Sequence, residues 1–237
     1  MNESGTLISL VEAVDITRTG DIWLFRASSV ADRAIRVTTN APVNHVGMSV
    51  VLDDLPPLLW HAELGRSLPD VWSGTHQRGV QLHDLRDAVV VWSRKYGQRP
   101  WLRQLDLHDQ SAVERKAMED AVLRTIALLD GTPFPSTARL AGRWLTGKLP
   151  RAGAGNRPDA AGLESTYCAE VVARTYEAME LLPGDRRASW YDPGRFWSGD
   201  QLPLARDAWL SKEIAVAVPA WAPLPAGVTL PKGAAGA

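Results

Sequence analysis

The sequence predicts an α+β fold in which an antiparallel sheet packs against helices. Three observations carry that prediction. His45 to Leu52 and Leu58 to Glu63 are two strand-like runs joined by the turn-rich Asp53-Asp54-Leu55-Pro56-Pro57, the pattern of a hairpin. Residues 111–129 place Ala117, Ala121, Val122, Ile126 and Leu129 near helical period. From Thr166 to Leu181 a second helical stripe runs through Cys168, Val171, Val172, Thr175, Tyr176 and Met179.

The remaining elements follow from local signals. Residues 4–14 read as a short helix with Leu7, Leu10, Val11 and Val14 on one side. Thr19-Gly20-Asp21 turns into the strand Ile22-Trp23-Leu24-Phe25. Ser28-Ser29 caps a helix to about Arg36, with Val30, Ala34 and Ile35 apolar. Val80-Gln81-Leu82 and Ala88-Val89-Val90-Val91-Trp92 read as strands, giving a sheet of four or five. Ser111-Ala112-Val113-Glu114 fits a capping box, and Gly131-Thr132-Pro133 ends the helix it starts. Residues 136–149 read as a short amphipathic helix. Pro150 to Gly162 reads as a mobile loop, and the tail from Pro223 as poorly ordered.

Composition narrows the function classes. The chain has 237 residues, 45% hydrophobic and 22% charged, with net charge -1. That is a globular composition with no general pull toward nucleic acid or anionic membrane. No run approaches the apolar length of a membrane span, and Met1-Asn2-Glu3-Ser4 lacks a secretory signal. The expectation is a cytoplasmic protein with a reduced thiol. There is no internal repeat, and the ten tryptophans are explained by packing.

Cys168 is the only cysteine, so no intramolecular disulfide and no cysteine-rich zinc site is open to it. Two readings remain: a small buried hydrophobe, or a nucleophile. Its place on the core-facing stripe favours the first. With Ser165 or Thr166 as N-cap, it also falls in the first helical turn, where the helix dipole favours thiolate and free N–H groups can hold an oxyanion. In the hairpin, alternation puts Val46, Met48, Val50, Trp60 and Ala62 on one face and His45, Gly47, Ser49, His61 and Glu63 on the other. A turn at residues 53–57 sets His45 opposite Glu63, with His61 beside it. That is either a solvated face or the base and orienter of a nucleophilic triad.

Taken in order, Thr19-Gly20-Asp21-Ile22-Trp23-Leu24-Phe25, Asn44-His45-Val46-Gly47-Met48-Ser49-Val50-Val51, Leu59-Trp60-His61-Ala62, Tyr167-Cys168-Ala169-Glu170-Val171-Val172 and Tyr191-Asp192-Pro193-Gly194-Arg195-Phe196 resemble the circularly permuted NlpC-type, papain-like cysteine hydrolases of the YaeF/YiiX group. Lecithin–retinol acyltransferase is a more distant relative of that family. The likeness spans roughly residues 17–200. It implies a single papain-like domain over 1–237 with the nucleophile at a helix N-terminus; 131–163 has no counterpart in the family and reads as a mobile insertion or lid, and 223–237 reads as a tail from its composition.

By this resemblance Cys168 would be the nucleophile and His45 its general base. The YaeF/YiiX pattern usually carries Glu as the third residue; here His61 stands in that place, as a second His does in non-permuted relatives, and ranks first, with Glu63, which the register favours, second. The implied reaction is hydrolysis of an amide, ester or thioester through an acyl-enzyme, with acyl transfer as a variant. The implied substrates are small molecules, peptides or acyl lipids, and no metal or organic cofactor is implied. A catalytically silent binding or scaffold protein is the competing class. Reactivity would require the Cys168 sulfur within hydrogen-bond reach of His45. His76, His83 and His108 match no metal-binding spacing. Asp53-Asp54 read as turn formers and Arg186-Arg187 as a solvated loop.

Overall fold

The structure is a computed structural model that describes residues 6–27, 42–63, 65–108, 110–133, 160–200 and 202–230, with backbone alone for 160–166. Strand β1 (Leu7–Ser9) leads into helix α1 (Leu10–Ile16), followed by β2 (Ile22–Arg26), β3 (His45–Val50), β4 (Leu58–Glu63) and β5 (Gly79–Asp84). Helix α2 (Leu85–Tyr96), β6 (Arg99–Arg103), β7 (Leu105–Asp106), α3 (Ala112–Leu129), α4 (Ala160–Ala178), β8 (Trp209–Leu210) and β9 (Ile214–Ala217) follow among the described residues, with three short 3-10 turns between α4 and β8. Seven strands form one sheet in the order β1-β9-β6-β2-β3-β4-β5, and β7 pairs with β8. The pairs within the sheet are antiparallel except β1 with β9.

The predicted α+β class is what the described chain shows, with more strands than expected. β6 and β9 lie in stretches the sequence reading left unassigned. The hairpin is found as predicted, in the register Met48↔Trp60 and Val50↔Leu58. The capping box of α3 is present, with Ser111 and Glu114 exchanging bonds. Residues 4–14 are not one helix, because Leu7 and Ile8 pair with Ala215 and Val216 before Ser9 caps α1. The expected helix after Ser28, the helix over 136–149 and most of the 131–163 insertion lie outside the described residues. The tail is described to residue 230, and Leu224 and Val228 pack against the core.

Ala88 to Trp92 is helical, not a strand. Asp84 accepts a hydrogen bond from the Asp87 amide at the start, and Gly97 closes α2 in the left-handed region at φ 64. A short apolar run has no period of its own, so the caps decide its state.

The sheet is covered on both faces. Ile22, Leu24, Val46, Met48, Trp60, Ala62, Val80 and Leu82 pack against α3 and α4. Trp23, Phe25 and Leu59 on the opposite face pack against α1 and α2. Two long-range bonds fasten α4 to its face: Trp60 Nε1 donates to Thr175 Oγ1 at 3.0 Å, and the Tyr176 hydroxyl donates to the Gly20 carbonyl.

Beyond β5 the edge is met by the end of α3. Val80 N donates to Thr132 O at 3.1 Å, and Gly131 N to Val80 O at 3.0 Å. Gly79 permits this approach. Its φ is +120, and a Cβ there would stand 2.1 Å from the Thr132 carbonyl oxygen. Gly79→Ala is therefore expected to cost about 2–4 kcal/mol in a urea melt. A loss below about 1 kcal/mol would show that this edge has slack.

Candidate functional site: a buried histidine chain

The sheet face beneath α2 carries a line of imidazoles. Alternation along β3, β4 and β5 puts His45, His61 and His83 on that face, because His61 pairs with Gln81 and Leu59 with His83. His45 Nε2 lies 3.3 Å from His61 Nδ1, and His61 Nε2 lies 3.1 Å from His83 Nδ1. His83 Nδ1 is 3.9 Å from Glu63 Oε2, which accepts a 2.8 Å bond from Ser67 Oγ. The solvent-exposed surfaces are small, at 6% for His45, 6% for Glu63 and none for His61 or His83.

Local sequence builds this arrangement. Trp92 of α2 lies edge-on to the rings of His45 at 4.8 Å and His61 at 4.9 Å, and Phe25 of β2 packs against both Trp92 and His45. Gly47 lies between His45 and Ser49 on the same face. A Cβ there would come within 2.7 Å of the Leu59 side chain and 3.3 Å of His61 Cβ. Beside β5, Asp70 accepts bonds from the amides of Leu82 and Ser73 and so holds the 70–75 turn in place.

Burial keeps all three rings neutral. It pushes His45 down to about 3, with the charge of His83 a smaller cause. It pushes His83 down to about 4, against the opposing pull of Asp70. His61 falls well below its ordinary value, by burial first and then by its two histidine neighbours. A neutral imidazole has one N–H and one lone pair, so the protons along this chain must be ordered in a single direction. Gln81 is buried beside His61, and neither of its amide atoms has a hydrogen-bond partner among the described residues. Asp21, at the start of β2, is a separate buried acid raised to about 6 by burial, against bonds from the Leu105 and Arg18 amides.

Of the four residues singled out from sequence, His45, His61 and Glu63 share this face. The hydrogen-bond-range contact of His45 is with His61. The opposition of His45 and Glu63 continues the register correctly, but the contact runs diagonally to His61. Cys168 is elsewhere. It belongs to the cluster formed with Val46, Met48, Trp60 and Ala62, on the α4 side of the sheet. The contacts of His45 go to Phe25, His61 and Trp92.

The expectation that Cys168 opens its helix is corrected. α4 begins at Ala160, so Cys168 follows more than two turns of helix. There the helix's own backbone N–H groups are committed to carbonyls one turn back, and Cys168 is not at the dipole end. The thiol has no solvent-exposed surface.

His83 is the member that sequence reading missed. The signal lay in Val80-Gln81-Leu82-His83, where two polar residues alternate with apolar ones and so share a face with His61. The sequence reading ended the strand one residue too early to include it. His76, by contrast, is exposed and meets only the Arg66 carbonyl.

Two surface clefts lie away from this chain. One, of about 550 Å³, is lined by residues including Arg18, Asp53, Leu107, Arg115 and Glu119. The other, of about 390 Å³, is lined by residues including Glu170, Arg174, Glu177, Arg186 and Arg187. No described helix is long and apolar enough to cross a membrane.

No family model matches the chain, and no curated protein matches it. Among solved structures it is similar to the crystal structure of metalloprotein YiiX from Escherichia coli O157:H7, DUF1105, with a TM-score of 0.40 and 19% identity. That likeness covers 68% of this chain and 65% of the other.

Proposed function

We propose that this protein is a non-hydrolytic binding protein in which Cys168 is a packing residue. One observation supports this reading above others: Cys168 and His45 lie on opposite faces of the same sheet. A thiol becomes a nucleophile when a base or a positive field stabilises its thiolate and substrate can reach it. Cys168 has neither His45 beside it nor exposed surface.

A second reading keeps the cysteine hydrolase, with Cys168 as nucleophile, His45 as base, and His61 or Glu63 as orienter. It is favoured by the 3.3 Å contact of His45 with His61, which is the base-and-orienter half of a triad. The substrate would then be an amide, ester or thioester. Transfer to an added amine or alcohol, with little free acid, would mark acyl transfer instead of hydrolysis. This reading requires α4 to open at Cys168 and the thiol to reach the histidine side.

Alkylation of Cys168 separates the two, because every modified molecule reports one site. The binding reading expects the native thiol to react roughly 100-fold more slowly than in the unfolded chain. It also expects the rate to be the same in a folded His45→Ala variant. Fast alkylation well below the ordinary thiol pKa of about 8.5, slowed by His45→Ala, would overturn it in favour of the hydrolase.

A further inference from the structure

We infer that His61, Glu63 and His83 form a binding site for one divalent transition-metal ion, zinc in the first instance, between β4 and β5 beneath α2. One ligand atom from each residue converges, and the three atoms lie within 4.8 Å of one another. The closest edge is His61 Nε2 to His83 Nδ1 at 3.1 Å, and His83 Nδ1 to Glu63 Oε2 is 3.9 Å. A tetrahedral ion with ligands at about 2.0–2.1 Å sets neighbouring donor atoms about 3.3–3.4 Å apart. Seating it requires the Glu63 carboxylate to close on the two imidazoles, from a spread of up to 4.8 Å to the tetrahedral spacing.

The residues around the three ligands already do what outer partners of a metal site do. Ser67 Oγ donates to the Glu63 carboxylate at 2.8 Å and orients it. With His61 Nε2 on the ion, its Nδ1 carries the proton and donates to His45 Nε2, which lies 3.3 Å away. That choice fixes the direction of the chain. A separate observation points to a ligand here: Gln81, fully buried on the same face and across the strand from His61, leaves both amide atoms unpartnered among the described residues. Two imidazoles and a carboxylate select zinc or a neighbouring first-row ion over magnesium or calcium. Cys168 lies across the sheet and takes no part, so the inference stands whether or not the thiol is inert.

Because the ligands are buried, the ion enters with folding and the site is a closed one. The test uses tag-free protein unfolded in denaturant with EDTA, refolded, freed of chelator and titrated with Co²⁺ and then Zn²⁺. The expected result is one Co²⁺ per chain with visible ligand-field bands, displaced by Zn²⁺, and a melting temperature raised by the ion. Glu63→Gln and His83→Gln should each weaken binding about tenfold or more. Cys168→Ser should bind as the wild type does. Refolded wild-type protein that takes up neither ion overturns the site, as does equal binding by folded Glu63→Gln and His83→Gln variants. Should those variants not fold, wild-type stoichiometry alone decides.

Discussion

In chelator-containing buffer, the protein is expected to lose stability steeply as pH falls from 6.5 toward 4. His45 and His83 are held down to about 3 and about 4 in the folded state by burial, and His61 well below its ordinary value. An unfolded histidine takes up its proton near pH 6.5, so over this window the unfolded state binds protons that the folded state refuses. Stability is therefore complete above pH 6.5 and falls as the pH drops toward the folded values. Each histidine approaches a slope of about 1.4 kcal/mol per pH unit below its unfolded value, so His45 and His83 together account for about 3 kcal/mol between pH 6.5 and 5.

Asp21 acts with the opposite sign. Its folded value is raised to about 6, so the folded state binds a proton before the unfolded state does. It returns about 1 kcal/mol by pH 5. Urea melts at pH 7, 6 and 5 measure the net slope. His45→Gln, at the end of the chain away from the proposed metal ligands, should flatten that slope by about one proton. A stability unchanged between pH 7 and 5 would mean that the three rings are not buried together in solution.

Replacing Arg103 by Met is expected to cost about 2–4 kcal/mol, because it strands three carbonyl acceptors at once, one buried and two half-buried. Arg103, on β6, is 5% exposed. Its guanidinium donates to the Ser211 carbonyl at 2.6 Å, to the Leu210 carbonyl at 3.0 Å and to the Phe196 carbonyl, with Glu213 at 3.7 Å. Methionine fills the space and satisfies none of these. Glu213 also accepts bonds from Ser198, so the loss would spread into the chain leading to β9. Arg103→Lys keeps the charge and three donors without the planar fork, and should recover part of the loss. Chemical denaturation of the three proteins tests the order wild type, Lys, Met. A Met variant within about 1 kcal/mol of wild type would show that these carbonyls reach water instead.

Where local rules govern, the sequence was legible. Ser111 and Glu114 start α3 as a capping box because both partners lie within one turn. Val46, Met48 and Trp60 separate from His45, Gly47 and His61 because a strand has period two. The turn at 53–57 set the register in which Met48 meets Trp60. Local rules misled at Ala88 to Trp92, where an apolar run suited either state and the choice fell to Asp84 and Gly97. They misled again at Cys168, where Ser165 and Thr166 resemble a cap and yet the helix continues back to Ala160.

By itself the sequence determined which residues share a face: the alternation in β3 and β4 joins His45, His61 and Glu63, and the helical stripe turns Cys168 toward the core. Only the tertiary structure decided which helix covers which face. α4 lies on the Val46–Trp60 side with Cys168, and α2 lies on the histidine side with Trp92. Periodicity reports that a strand has two faces and a helix one stripe, but it carries no information on which stripe meets which face. That pairing is settled by long-range packing, here Trp60 on Thr175 and Trp92 on His45 and His61.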